Sequence, residues 1–154
     1  GRSKCHVMWG GGKNGLMGDL MAGVIEGQGT LEAHIFERWY SDSEKFPPAV
    51  TSASPCKSED DRNKIFLKAD FQIALAGGMG SLFEVAYALN HKVYHDQESS
   101  PLILLSTNGF WKGINHHISK MVKQGFNNPN IRSRYRIVTS PEKAINAMGL
   151  TCRF

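Results

Sequence analysis

The sequence predicts an α/β fold built on a doubly wound parallel sheet. Three observations carry that expectation. Short apolar runs alternate along the chain with segments of helical periodicity, the pattern of repeated strand–helix units. Two of the strand-to-helix junctions are glycine loops. At 154 residues and 17.1 kDa the chain is long enough for one sizeable core and too short for two ordinary domains. One α/β domain over residues 1–154 is therefore expected.

The elements follow in order. Cys5–Trp9 is a short apolar run that stops at Gly10-Gly11-Gly12, a buried strand feeding a glycine turn. Leu16, Leu20, Met21, Val24 and Ile25 are spaced for one helical face, and Gly27 and Gly29 close that helix. Thr30–Phe36 is a second strand. Glu37–Pro55, with Pro47-Pro48 and a serine-rich patch, is a loop with a short strand at Ala49–Ser52. Arg62–Lys68 is helical and leads into a strand at Phe71–Ala76 that ends at Gly77-Gly78. The helix Ser81–Asn90 is apolar nearly all round, so burial is expected for it. Pro101–Ser106 is a strand, Ile114–Gln124 a helix and Arg134–Thr139 the last strand. Ser140 followed by Pro141 reads as an N-cap with proline at N1, opening a helix over Pro141–Met148.

Composition narrows the class of function. Hydrophobic content of 41% with 21% charged residues describes a globular chain, not a disordered one. The longest apolar stretches, Phe71–Ala76 and Leu102–Leu105, fall far short of the roughly 20 residues of a membrane span, so no membrane partner is expected. No charged segment leads into an apolar secretory core. Cys5, Cys56 and Cys152 fit neither a disulfide framework nor a paired metal motif, so a reducing, cytoplasmic setting is expected. A net charge of +4 and a pI near 9.0 favour an anionic ligand. The basic residues are scattered and form no stripe with interleaved aromatics, so nucleic acid is not the expected partner.

The two glycine loops hold the chemistry. Where a strand turns into a helix, the first N–H groups and the positive end of the helix dipole face outward, which suits a phosphate. The first loop, Gly10 to Gly18, is not a Walker sequence, because Lys13 is followed by Asn14 and not by serine or threonine. It is equally well read as a tight strand–helix turn. The second runs from Ala76 to Glu84. Ser81 is no nucleophile elbow, lacking glycines two residues to either side. Ser81 and Glu84 have capping-box spacing, and a carboxylate in a first helical turn can equally project toward a ligand. Both readings of Glu84 stand at this point.

Together the loops resemble the signatures of the Lonely Guy family, G-G-G-x-x-G-L-M-G at Gly10–Gly18 and P-G-G-x-G-T-x-x-E at Ala76–Glu84. The segments through Gly109-Phe110-Trp111, Met121–Phe126 and Ser140–Glu142 follow the family's layout, so the resemblance covers nearly the whole chain. It implies a Rossmann-like sheet, a homodimer, and hydrolysis of the N-glycosidic bond of purine nucleoside 5′-monophosphates, cytokinin nucleotides included. It implies no metal and no cofactor. Carried over by position, Glu84 and Arg62 are the catalytic pair. Gly77, Gly78, Gly80 and Ser81 bind the phosphate. Gly11, Gly12 and Lys64 complete the substrate-binding set. The alternative is a non-catalytic protein of the same superfamily that binds a nucleotide or a molybdenum cofactor.

Three departures qualify the resemblance. Ala76 replaces the family's proline and Ser81 its threonine, with the hydroxyl kept. The family's adjacent Arg-Lys pair is here Arg62-Asn63-Lys64, one residue closer to the loop, so Arg62 is the assigned arginine and Lys64 its alternate. Finally, the family's first strand–helix unit is not recognisable ahead of Cys5. A truncated sequence, a different strand order, or another segment or chain filling the lane would each account for this, and pairing on both sides of Cys5–Trp9 is expected.

The remaining constellations read as ordinary structure. Adjacent His116 and His117 point about 100° apart on a helix and share no metal site easily. His91 and His95 fall in the loop before Pro101, and solvent is their expected environment. Arg132, Arg134 and Arg136 alternate as on a solvated strand edge. Met17 and Met79 suit either a base pocket or plain packing.

Overall fold

The computed structural model describes residues 5–95 and 100–149. Cys152, counted among the cysteines above, lies outside them. The chain divides between Ala69 and Asp70 into two compact units. Each holds a three-stranded, wholly parallel sheet. With five helices among the described residues, the class is the expected Rossmann-like α/β.

The first unit runs β1 (His6–Trp9), α1 (Gly15–Glu26), β2 (Thr30–Phe36), a 3₁₀ segment (Glu37–Lys45), β3 (Val50–Cys56) and α2 (Glu59–Phe66). The sheet order is β1-β2-β3, so β2 is central. Its alternation sorts the two faces. Leu31, Ala33 and Ile35 form a buried cluster with Trp9 of β1 and Val24 of α1. Glu32, His34 and Phe36 point the other way, where α2 meets His34 through Phe66 and Phe36 through Arg62.

Two expectations are corrected here. Residues 37–55 are not a loop with a four-residue strand: a 3₁₀ segment is followed by a seven-residue strand that takes in Pro55. β3 ends the sheet, and an edge strand is where a proline's missing N–H need not interrupt a ladder. β1 is also a terminal strand, hydrogen-bonded among the described strands to β2 alone and not on both sides. It is short and opens on a polar, exposed residue, His6, as edge strands commonly do.

The second unit runs β4 (Ile73–Ala74), α3 (Met79–Tyr94), β5 (Leu102–Leu105), a 3₁₀ turn (Thr107–Gly109), α4 (Lys112–Lys123), a second 3₁₀ turn (Pro129–Ser133), β6 (Tyr135–Val138) and α5 (Pro141–Ala147). β5 is central. Leu102, Ile103 and Leu104 are buried in succession, as in a strand covered on both faces. Val85, Ala88, Leu89, Lys92 and Val93 of α3, Ile118 of α4 and Ala144 of α5 are buried helical positions. The Ser140 hydroxyl caps α5 by accepting from the Lys143 N–H at 3.3 Å, with Pro141 at N1, as the sequence predicts.

Here too the structure alters details. The strand expected over Phe71–Ala76 shrinks to two residues. α3 extends beyond Ser81–Asn90 at both ends, which puts His91 inside the helix and His95 at its C-cap. It buries one stripe, not its whole circumference, and leaves Leu82 and Phe83 exposed. Only Arg136 of the three alternating arginines is in a strand. The Asn128 side chain accepts from the Asn130 N–H at 3.0 Å and starts a 3₁₀ turn that takes Arg132, with Arg134 at its C-cap. Among the described residues no helix is long and apolar enough to cross a membrane.

Candidate functional site

The second glycine loop forms the start of α3. The capping box that the Ser81–Glu84 spacing allows is not adopted: the N-cap is Gly78, in extended conformation, and the helix begins at Met79. Ser81 is thus the third helical residue and Glu84 lies in the second turn, too far along to serve as the cap's reciprocal partner. The first intrahelical bond is from the Leu82 N–H to the Gly78 carbonyl at 3.1 Å. The N–H groups of Met79, Gly80 and Ser81 therefore precede the helical ladder.

Gly77 through Gly80 are all exposed, and Met79 is 79% accessible. A methyl group built on Gly78 or on Gly80 would meet nothing within 4 Å, so open space lies before the helix end. One built on Gly77 would run into the Ser81 side chain, so the absence of a side chain there makes room for the Ser81 hydroxyl. Glu84 is half-buried and three residues beyond Ser81, hence on the same helix face. An exposed helix N-terminus with a hydroxyl and a carboxylate on one face can hold an anionic group and act on what is attached to it.

The first unit contributes its own constellation. The Trp9 indole donates to the Gly12 carbonyl at 3.2 Å and closes the turn after β1. Gly11 has φ +77°, and a side chain there would collide with Ile35, so packing alone requires this glycine. Across the turn stands Arg62 of α2: a methyl on Gly10 would come to 3.4 Å from its Nη1. The guanidinium carbon lies 4.3 Å from the centre of the Phe36 ring and 5.9 Å from that of Phe66. Lys64 points elsewhere, to the exposed side of α2, and pairs with Asp60 one turn back. Ser58 caps this helix by accepting from the Asp61 N–H at 3.1 Å, and Glu59, Asp60 and Asp61 complement its positive end.

Beneath Arg62 the sheet carries a polar row that the sequence reading passed over. Glu32 holds His6 on one side at 3.0 Å and approaches His34 on the other at 3.2 Å. His34 is only 2% exposed and its ring meets Phe66 edge-on at 5.8 Å. The approach to Glu32 is too poorly aligned to count as a hydrogen bond, and neither ring nitrogen has another protein partner among the described residues. Burial pushes the His34 imidazole below its usual range; Glu32 opposes this, while the Arg62 and His6 charges add to it. Burial likewise raises the thiol of Cys56, against a smaller opposing pull from Arg62. The alternation of β2 and the helical periodicity of α2 are both legible in the sequence, but the packing of one on the other is not.

Elsewhere His116 and His117 are exposed on α4. Among the described residues no group of three or more histidines, cysteines and carboxylates is placed to hold a metal.

The family described as possible lysine decarboxylase matches residues 17–148. A cytokinin riboside 5′-monophosphate phosphoribohydrolase from Rhodococcoides fascians is 29% identical over 150 residues, an alignment covering 96% of this chain and 74% of that protein.

Proposed function

The chain belongs to the possible lysine decarboxylase family and, within it, to the Lonely Guy proteins, and on that premise we propose that it hydrolyses the N-glycosidic bond of a purine nucleoside 5′-monophosphate of the cytokinin type. The observation that carries this reading is the exposed, glycine-flanked start of α3 with Ser81 and Glu84 on one face. A phosphate sits on the N–H groups of Met79, Gly80 and Ser81, with Gly77 and Gly78 forming the approach. The Glu84 Cα then lies about 4.5 Å further along the axis than that of Ser81, and its carboxylate leans back along the same face toward the sugar.

The reaction needs little else. As the bond from C1′ to the base nitrogen breaks, its electron pair leaves with the base and positive charge builds on the ribose. A carboxylate stabilises that charge and takes a proton from the attacking water. The water oxygen adds to C1′, the proton taken by the carboxylate is passed to the departing base nitrogen, and free base and ribose 5-phosphate result. Arg62 supplies a fixed fork of donors for phosphate or ribose oxygens. Gly11 and Gly12 shape the turn that borders it, and Lys64, turned toward Asp60, has the weaker claim to a substrate role.

We propose further that the protein works as a homodimer, which would cover Leu82 and Phe83 on the exposed side of α3. Hydrolysis is tested by measuring base and ribose 5-phosphate release from AMP and from adenosine. AMP is expected to be consumed and adenosine left almost untouched. Equal rates on the two would remove the phosphate cradle from the account, and binding of AMP without turnover would point to the non-catalytic alternative.

A further inference from the structure

Arg62 sits within a group of aromatic rings that neither glycine signature includes. Phe36 is the last residue of β2, at the carboxyl edge of its sheet, where ligands of open α/β sheets gather. The ring is 4.3 Å from the Arg62 guanidinium, well inside the range of about 6 Å for a cation–π contact. Phe66, one turn along α2 from Arg62, is a more distant second ring at 5.9 Å and is itself braced by His34. Phe36 is held in turn by Trp39, edge-on at 5.6 Å, and Arg38 lies 5.4 Å from the same ring.

Stacking engages the flat face of a guanidinium, whereas its hydrogen bonds leave from the edge in the same plane. An aromatic seat can therefore fix the position and plane of an arginine without competing for the oxygens it recognises. A long side chain held this way also has less freedom to lose when substrate arrives. An aliphatic residue of similar bulk would fill the space but lack the negative ring face.

We propose that Phe36 is a positioning residue for the phosphoribohydrolase reaction, its ring seating the Arg62 guanidinium for substrate. This rests on the reading of Arg62 given above. The test uses the full chain and AMP, with kcat and KM measured beside thermal unfolding for Phe36→Leu, Phe36→Tyr and Arg62→Ala. Phe36→Leu is expected to lower kcat/KM by about tenfold or more, and Phe36→Tyr to stay within about twofold of the parent. A folded Phe36→Leu variant within about twofold of the parent, or an equal fall in Phe36→Tyr, overturns the proposal. Should Phe36→Leu fail to fold, Phe36→Met is judged by the same limits. Arg62→Ala separates this failure from that of the parent reading: if it hydrolyses AMP as the parent does, or if the parent releases no base, the assignment of Arg62 falls and the role of Phe36 with it.

Discussion

Replacing Gly80 with alanine separates folding from ligand binding, because the two respond with opposite sign. Gly80 is the second residue of α3, its φ is not in the left-handed region, and an added methyl meets nothing within 4 Å. Alanine at a compatible position stabilises a chain by about 0.4–1 kcal/mol, chiefly by restricting the unfolded state. At about 2–4 °C per kcal/mol for a chain of this size, the unliganded protein should unfold roughly 1–4 °C higher. The effect on substrate runs the other way. Every Cα–Cβ bond in a helix tilts toward the N-terminus, so the methyl enters the space in front of the helix end where the phosphate is proposed to sit. Displacing one charge-assisted hydrogen bond costs about 1.5–3 kcal/mol, or roughly 10- to 150-fold in kcat/KM for AMP. Thermal unfolding of the ligand-free protein and initial rates on AMP measure the two sides. A more stable variant with unchanged kcat/KM would place the phosphate elsewhere; a less stable one would refute the open space at Gly80.

Glu84→Gln should leave AMP affinity near the parent value while lowering turnover by about two orders of magnitude or more. No cap is lost, because Gly78 and not Ser81 begins the helix, so near-normal turnover would remove Glu84 from the chemistry. His34 should make stability depend on pH. Its folded-state pKa lies below the unfolded value near 6.5, so the unfolded chain binds more protons in that interval. The contribution is fully present above about pH 6.5 and is lost as pH falls toward the folded pKa. Urea midpoints for the parent should drop between about pH 7.5 and 5.5, and His34→Gln should flatten that slope; an identical slope would exclude His34 as its source. Light scattering at micromolar concentration should give twice the chain mass of 17.1 kDa, and Phe83→Glu should shift it toward the monomer; a parent that runs only as monomer contradicts the dimer.

Local chemistry and periodicity by themselves determined the class of fold and most of its elements. β2 has the bounds that its β-propensity and flanking glycine imply, and α5 starts at the Ser140-Pro141 cap, because turn and cap preferences act within a few residues. The two glycine loops were legible for the same reason, and their joint spacing was enough to suggest the family. What tertiary structure decided was everything that depends on a distant partner. Arg62 and Lys64 are two places apart on a helix and point to different sides; only the packing of α2 on β2 turns Arg62 to Phe36 and Lys64 to Asp60. Gly11 is required by Ile35, a neighbour brought to it by the pairing of β1 with β2. α3 begins at Met79 although the Ser81–Glu84 pair offers a cap: Gly78 already lies extended after β4, and the helix has started before Ser81 is reached. His34 is a buried, charge-averse group because the fold packs Phe66 and other distant residues around it. In each case the deciding interaction spans elements that the chain brings together after its local preferences have been satisfied, so no window of sequence contains it.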